Sequence, residues 1–331
     1  MVEKATVIGI GGMGTVMSQM LGTNGVSVAL LARECEPVED IFVGRENQLY
    51  LPGVKLSEQV RPTNNATAAF QNTELVVSAV PCQYLRAAWQ QHGSRVPRDV
   101  PIGSVTKGIE IATLARPSQI IAEYAPHNPV AVLSGPNIAR ELARCLPATV
   151  VVACDSRGVA ELLQQTLGTS WFRVYTSHDV TGVELAGALK NVIALAAGIL
   201  DGLRAGDNAK AALVTRGLVE ITRLGVALGA RPETFGGLAG VGDLITTSVS
   251  PFGRNRTAGE QIGRGVAPEQ VIKDSTAVIE GIPTTRAVLE LAARHQVEMP
   301  ITRAVYQVLF EQKSPLTAIT ELMSRPPRAE D

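Results

Sequence analysis

The chain has 331 residues, of which 45% are hydrophobic and only 4% aromatic, and its formal net charge is −1. This length predicts about two domains, and the low aromatic content leaves Val, Ile, Leu and Ala to fill their cores. A charge this close to neutral gives no electrostatic basis for binding nucleic acid or an anionic membrane surface, so neither is expected as a partner.

The sequence also predicts no signal peptide, membrane span or metal site. It lacks the basic start, apolar stretch and cleavage site of a signal peptide, and its most apolar long window, 183–200, is interrupted by Glu184, Lys190 and Asn191. We therefore expect no membrane span. The four cysteines form no C-x-x-C pair and the four histidines have no ligand spacing. Reduced thiols, a cytoplasmic location and no metal site are the corresponding expectations.

The first half of the chain alternates short Val- and Ile-rich runs with segments of helical periodicity. Each run is closed by Gly, Pro or polar residues, which is typical of buried parallel strands. The alternation predicts a doubly wound α/β domain of the Rossmann type. The predicted strands are 5–10, 26–31, 75–80, 101–105, 130–133, 149–153 and 172–175.

The second half of the chain has longer runs that are rich in Ala and Leu. Leu185, Leu189, Val192 and Ala196 recur at helical spacing, and 211–228, 287–295 and 304–312 follow the same pattern. This half is predicted to be all helical. We therefore expect a dinucleotide-binding domain over 1–180, a helical substrate and catalytic domain over 181–325, and a loose tail over 326–331.

A glycine-rich turn follows the first predicted strand and opens a helix, in the order Gly9-Ile10-Gly11-Gly12-Met13-Gly14. Gly9 would form the tight turn, Gly11 would let the backbone approach a pyrophosphate, and Gly14 would let the helix lie close to the strand. The free N–H groups at the helix start would then bind the diphosphate. The context favours a dinucleotide site over the alternative of a purely structural turn.

The end of the second predicted strand bears on the choice of cofactor. An NAD site usually has an acidic residue there for the ribose 2′-hydroxyl, whereas this chain has Arg33 followed by Glu34. A guanidinium suits a 2′-phosphate. NADP is therefore predicted in preference to NAD, and a solvated surface arginine is the alternative interpretation of Arg33.

Further segments resemble the glycerol-3-phosphate dehydrogenases of bacteria and eukaryotes, and they run in order through nearly the whole chain. They are 7–11 (VIGIG), 47–54 (NQLYLPGV), 79–81 (AVP), 105–110 (VTKGIE), 133–136 (LSGP), 141–142 (EL), 172–175 (FRVY), 187–192 (GALKNV), 208–209 (NA), 215–218 (TRGL), 240–244 (GVGDL), 253–256 (GRNR) and 278–281 (VIEG).

The resemblance implies an NAD(P)-dependent oxidoreductase that interconverts dihydroxyacetone phosphate and sn-glycerol 3-phosphate and supplies the latter for phospholipid synthesis. It also implies a helical second domain similar to the C-terminal domain of 6-phosphogluconate dehydrogenase. A homodimer is plausible for such a helical, Ala- and Leu-rich domain.

Three residues are expected to carry the chemistry. Ketone reduction builds negative charge on the carbonyl oxygen and needs a proton donor, and a lysine with a pKa lowered by burial suits this role. Lys190 matches the catalytic lysine of the family, although a lysine that extends to water from an amphipathic helix is the alternative. Lys107 follows a predicted strand at the ligand-binding edge of the sheet. It matches a second family lysine that contacts substrate and cofactor, and an exposed loop lysine is the alternative. Asp243 would orient Lys190, or would merely cap a turn or helix.

The resemblance assigns the remaining contacts. The guanidinium of Arg254 and the amide of Asn255 would bind the substrate phosphate. The predicted cofactor contacts are Gly9, Gly11, Gly12, Met13, Gly14, Arg33, Lys107, Ala139, Arg254, Val278 and Glu280. The predicted substrate contacts are Lys107, Gly135, Asn137, Lys190, Asn191, Asp243, Thr247, Gly253, Arg254 and Asn255.

The chain departs from the family pattern in three places. Gly12-Met13 replaces the Ser or Asn and aromatic pair that is often found in the glycine loop, Asn137 replaces a usual Thr, and 248–252 is not a close match. Two other functions are alternatives: a β-hydroxyacid dehydrogenase or ketopantoate reductase type of enzyme, and a non-catalytic nicotinamide-binding sensor. The first does not explain Lys107 together with Arg254, and the second does not explain the two lysines and Asp243.

Overall fold

An eight-stranded sheet organises the first half of the protein in a computed structural model that describes residues 2–36 and 38–326. The strand order is β3-β2-β1-β4-β5-β6-β7-β8. The strands are β1 (Lys4–Ile8), β2 (Ser27–Leu31), β3 (Val60–Thr63), β4 (Leu75–Ser78), β5 (Ile102–Ser104), β6 (Val130–Ser134), β7 (Ala148–Ala153) and β8 (Phe172–Ser177).

The seven predicted strands are confirmed, but the prediction missed β3 and the direction of β7 and β8. β3 is a four-residue edge strand that contains Pro62, and a proline is tolerated there because an edge strand has one side without sheet hydrogen bonds. β7 pairs with β6 in the antiparallel sense, with Val132 opposite Ala153. Because β8 is parallel to β7, the last two strands run against the other six and the sheet is mixed.

Helices cover both faces of this sheet. Val7 of β1 belongs to one apolar cluster and Ile8 to the other, as expected because successive side chains of a strand point to opposite faces. The helices are α1 (Gly12–Thr23), α2 (Val38–Gly44), α3 (Ala66–Phe70), α4 (Cys82–His92), α5 (Pro117–Tyr124), α6 (Ala139–Leu142) and α7 (Arg157–Leu167), with a 3₁₀ turn at Gly93–Arg95.

Every regular element described after residue 179 is helical, as predicted. These elements are α8 (Val180–Leu203), α9 (Asp207–Ala227), α10 (Pro232–Phe235), a π turn (Leu238–Gly242), α11 (Asp243–Val249), α12 (Arg254–Gly263), α13 (Pro268–Asp274), α14 (Gly281–Arg294), α15 (Pro300–Phe310) and α16 (Pro315–Met323). The predicted tail lies outside the described residues except for Pro326.

Helix α8 is the centre of the helical half. It is long and apolar enough to cross a membrane, but its apolar window is completely buried within the protein, as in the core helix of a globular fold. Glycines allow the backbone of α12 to contact the backbone of α8. A Cβ atom on Gly198 would collide with the carbonyl of Arg256, and one on Gly259 would collide with the carbonyl of Leu195.

The turn between β1 and α1 has the geometry that its glycines predict. Gly9 has φ +105°, and a Cβ there would lie 2.9 Å from the carbonyl oxygen of Ala79. A Cβ on Gly14 would collide with the carbonyl of Gly9, whereas a Cβ on Gly11 would have no protein atom within 4 Å. Gly9 and Gly14 are therefore required by the fold, while Gly11 faces open space at the start of the helix.

This difference predicts opposite effects of two alanine substitutions. Gly14→Ala forces the helix away from the strand and should lower the free energy of unfolding by about 1–3 kcal/mol. Gly11→Ala should cost less than about 1 kcal/mol but should weaken NADPH binding, because the methyl group occupies the approach to the helix N-terminus. Urea unfolding and NADPH fluorescence titration measure the two quantities. Native stability in Gly14→Ala, or native NADPH affinity in Gly11→Ala, would contradict this interpretation.

Candidate active site

Two lysines from the two halves of the protein meet on one carboxylate. Lys107 follows β5 at the carboxyl edge of the sheet, Lys190 lies in the middle of α8, and Asp243 is the first residue of α11. Lys107 Nζ lies 2.6 Å from Asp243 Oδ2, and Lys190 Nζ lies 2.9 Å from Asp243 Oδ1. The structure therefore brings together the three residues expected to carry the chemistry.

The ammonium group of Lys190 is held inside the protein. Its side chain is only 6% exposed, so the alternative of a lysine extending to water is wrong. Lys190 Nζ also donates a hydrogen bond to Thr247 Oγ1, and that hydroxyl donates to Asp243 Oδ1 at 3.1 Å. Thr247, predicted as a substrate contact, thus uses its hydroxyl to connect Lys190 with Asp243.

Lys107 is fixed by acceptors from the segment after β6. Its Nζ donates to Asn137 Oδ1 at 2.7 Å and to the carbonyl oxygen of Gly135 at 3.2 Å. Gly135 has φ +134°, a conformation that glycine adopts readily. Asn137, one of the departures from the family pattern, therefore supplies a side-chain acceptor for Lys107.

Burial and neighbouring charge together lower the pKa values of both Lys190 and Asp243. Burial lowers the pKa of Lys190 to about 8, and the nearby positive charge of Lys107 acts in the same direction, against the attraction of Asp243. Burial alone would raise the pKa of Asp243, but Lys107 and Lys190 outweigh it and lower that pKa below its usual value. Asp243 therefore stays ionised while Lys190 titrates close to neutrality.

Asn255 and Arg254 lie beside this cluster at the start of α12. Asn255 Nδ2 donates to Asn191 Oδ1 at 2.9 Å, and its Oδ1 accepts from the backbone N–H of Gly281 at 2.8 Å. Arg254 is exposed, and one of its N–H groups donates to the carbonyl oxygen of Val278 at 3.1 Å. Gly253 precedes them and donates its N–H to the carbonyl oxygen of Ser250. Arg254 therefore keeps further N–H donors that can bind an anion.

Glu280 reaches from the helical half to the N-terminus of α4. Its Oε1 accepts from the backbone N–H of Cys82 at 3.0 Å, while its Oε2 is buried and has no hydrogen-bond partner among the described residues. Burial raises the pKa of Glu280 to about 7. The carboxyl group thus lies next to the sheet edge with one oxygen free for a ligand.

The remaining predicted cofactor contacts lie in two places. Met13 and Gly12 open α1, and Ala139 of α6 lies against Gly12. Arg33 lies apart, after β2, with a side chain that is 71% exposed and pairs with Glu36 at 2.8 Å. Its partner is thus Glu36, and the guanidinium remains open to solvent.

Two buried hydrogen-bond networks near the site were missed by sequence reasoning. Asn47 Nδ2 donates to the carbonyl oxygen of Ile10 at 2.7 Å and to Thr15 Oγ1 at 2.8 Å, which holds the glycine turn in place. On α8, Glu184 accepts from Arg116 at 2.6 Å and from the backbone N–H of Ser118 at 2.6 Å. Asn47 lies in a segment that carried the family resemblance, but nothing local predicts its distant partners.

Both halves of the chain match profiles of the same protein family. Residues 4–160 match the profile described as NAD-dependent glycerol-3-phosphate dehydrogenase N-terminus, and residues 179–320 match the profile for the C-terminus.

Whole-length relatives show the same similarity. A glycerol-3-phosphate dehydrogenase [NAD(P)+] of Citrifermentans bemidjiense is 45% identical, over 100% of this chain and 99% of that protein. One of Chlorobium phaeobacteroides is 46% identical over 99% of each. The crystal structure of glycerol-3-phosphate dehydrogenase from Coxiella burnetii is 33% identical, with a TM-score of 0.94 over 98% of this chain and 99% of that one. The chain belongs to the NAD-dependent glycerol-3-phosphate dehydrogenase family.

Proposed function

We propose that this protein reduces dihydroxyacetone phosphate to sn-glycerol 3-phosphate with NADPH or NADH, and catalyses the reverse reaction. The observation that carries this proposal is the buried cluster of Lys190, Asp243 and Lys107 beside Arg254 and Asn255. The whole-length relatives, named for this activity, support it. In the cell, the product would supply phospholipid synthesis in the cytoplasm.

Lys190 is the proton donor of the reduction. The nicotinamide, when bound, supplies the hydride to the carbonyl carbon, and negative charge then grows on the carbonyl oxygen. An ammonium group at Lys190 Nζ stabilises that charge and delivers the proton. In oxidation, the neutral amine accepts the proton of the substrate hydroxyl. Asp243 fixes the position of Nζ, and Lys107 adds a second positive charge at the same edge of the sheet.

Arg254 and Asn255 hold the phosphate of the substrate. A guanidinium binds phosphate through paired, charge-assisted hydrogen bonds, and Arg254 has N–H groups beyond the one that it gives to Val278. Asn255 is fixed to Asn191, the residue after Lys190. The phosphate contact and the proton donor are therefore linked by one side-chain hydrogen bond, which sets the distance between the two ends of the substrate.

The turn between β1 and α1 would hold the pyrophosphate of the dinucleotide, and Arg33 would bind the ribose of its adenosine half. The open space at Gly11 and the N–H groups at the start of α1 suit the pyrophosphate. The exposed guanidinium of Arg33 suits a 2′-phosphate. NADP is therefore the preferred cofactor in this proposal, and NAD the weaker one.

Replacing Lys190 tests the proposal directly. Lys190→Ala should reduce the rate of NADPH oxidation with dihydroxyacetone phosphate by roughly 10²–10⁴-fold, because the proton donor is lost. NADPH affinity, measured by fluorescence titration, should change little. Lys273→Ala, which removes an exposed lysine of α13, serves as the control and should keep native activity. A native protein that binds NADPH but never oxidises it in this assay would overturn the proposed function.

The pKa of Lys190 also predicts the pH dependence of the two directions. Reduction needs the ammonium form, so its kcat should fall as the pH rises through about 8, whereas oxidation needs the neutral amine and should accelerate over the same range. Asp243 is already ionised below this range, so it should not distort either profile. Measurement of kcat in both directions across pH 8 checks this. Profiles that change in the same direction would exclude Lys190 as the titrating group.

Replacing Arg33 tests the cofactor preference. Arg33→Ala should weaken NADPH binding roughly tenfold and leave NADH binding nearly unchanged, because only NADPH carries the 2′-phosphate. Glu36→Gln is the matched control, since it keeps the arginine and removes the carboxylate that pairs with it. NADPH should bind to that variant at least as tightly as to the native protein. An unchanged NADPH-to-NADH preference in Arg33→Ala would remove the argument for a 2′-phosphate site.

A further inference from the structure

Arg140, near the segment that carries Arg254, is an arginine that the candidate active site has not so far used. Arg140 is an exposed residue of α6 and forms no ion pair within residues 2–36 and 38–326. Its guanidinium carbon lies over the aromatic ring of Phe252, 5.7 Å from the ring centroid. The ring of Phe252 thus positions the Arg140 side chain. This contact leaves the N–H donors of the guanidinium free of any hydrogen bond to a carboxylate.

The contact between Arg140 and Phe252 joins the two halves of the protein across the cleft. Arg140 lies three residues after Asn137, whose side chain holds Lys107. Phe252 lies two residues before Arg254 and is 46% exposed. The segment of Asn137, which holds Lys107, and the segment of Arg254 are therefore adjacent at this point, where Arg140 and Phe252 are both exposed.

The cationic side chains of the site already use several of their N–H donors, so few remain for a phosphate dianion. Lys107 and Lys190 both face Asp243, and Arg254 gives one N–H group to Val278. A phosphate dianion is best bound by more than one cation, and a guanidinium offers five N–H donors in a planar array. Within residues 2–36 and 38–326, Arg140 donates no hydrogen bond, so its donors are available to a phosphate.

We propose that Arg140 is a second guanidinium for the phosphate of the substrate. It rests on the face of Phe252 and moves to the phosphate that Arg254 and Asn255 hold. An exposed cation–π contact is weaker than paired, charge-assisted hydrogen bonds to phosphate, so the phosphate displaces the ring. This inference rests on the proposed function and adds a residue that determines specificity for a phosphorylated ketone.

The inference predicts a defect that depends on the phosphate group. Arg140→Gln should raise the KM for dihydroxyacetone phosphate, and the Kd for sn-glycerol 3-phosphate measured by calorimetry, by roughly tenfold or more. The kcat should stay near native, because the substitution leaves the cluster of Lys190, Asp243 and Lys107 intact. With dihydroxyacetone, which lacks the phosphate, kcat/KM should equal the native value. Arg140→Lys, which keeps the charge but not the paired donors, should lie between Arg140→Gln and the native protein.

Arg144→Gln is the matched control. It removes an exposed positive charge four residues along the chain, and it measures the effect of general electrostatic attraction. Three results would overturn the inference: an equal loss in Arg144→Gln, an equal loss with dihydroxyacetone, or a change confined to NADPH affinity, which would assign Arg140 to the pyrophosphate. Because calorimetry needs no turnover, failure of this inference differs from failure of the proposed function, which would appear as a native protein without activity.

Discussion

The ionised carboxylate of Asp243 between two lysines is the interaction on which the site depends. A buried charge is tolerated only when it is paired and hydrogen-bonded, and Asp243 finds one partner in each half of the protein. Lys107 comes from the edge of the sheet and Lys190 from the core helix, so the pairing is satisfied only when the two halves meet in one arrangement. Two positive charges on one carboxylate leave the cluster net positive, as an oxygen that gains negative charge requires.

Helix α8 holds Lys190 in a fixed position relative to the rest of the site. Its first turns are fixed to the sheet half by Glu184, which accepts from Arg116 and Ser118. Its later turns are held by the glycine contacts with α12, which let two backbones touch. Lys190 and Asn191 lie between these two attachments. Rotation or sliding of α8 would therefore break buried hydrogen bonds at one end and close packing at the other, which fixes Lys190 relative to Asn255.

The sequence predicted what local patterns encode. Apolar runs marked seven strands, the glycines marked the turn after β1, and the family resemblance marked the lysines and Asp243. It missed β3, because a four-residue edge strand with Pro62 has little strand character. It missed the reversal of β7 and β8, because alternation of side chains does not reveal strand direction. Asn47 and Glu184 went unassigned as structural anchors because their partners lie 32 to 68 residues away in the chain.

The site uses arginine and lysine for different tasks, because the two side chains differ in how readily they lose a proton. An arginine guanidinium stays charged at any pH where the protein is folded, so Arg254 attracts a phosphate whatever the pH. A lysine ammonium loses its proton when burial makes the charge costly, and burial lowers the pKa of Lys190 to about 8. Exchanging the two residue types would fail in both places. An arginine at position 190 would not give up a proton, and a lysine at position 254 would lose the paired donors that match phosphate. The buried position therefore requires lysine, and the exposed one requires arginine.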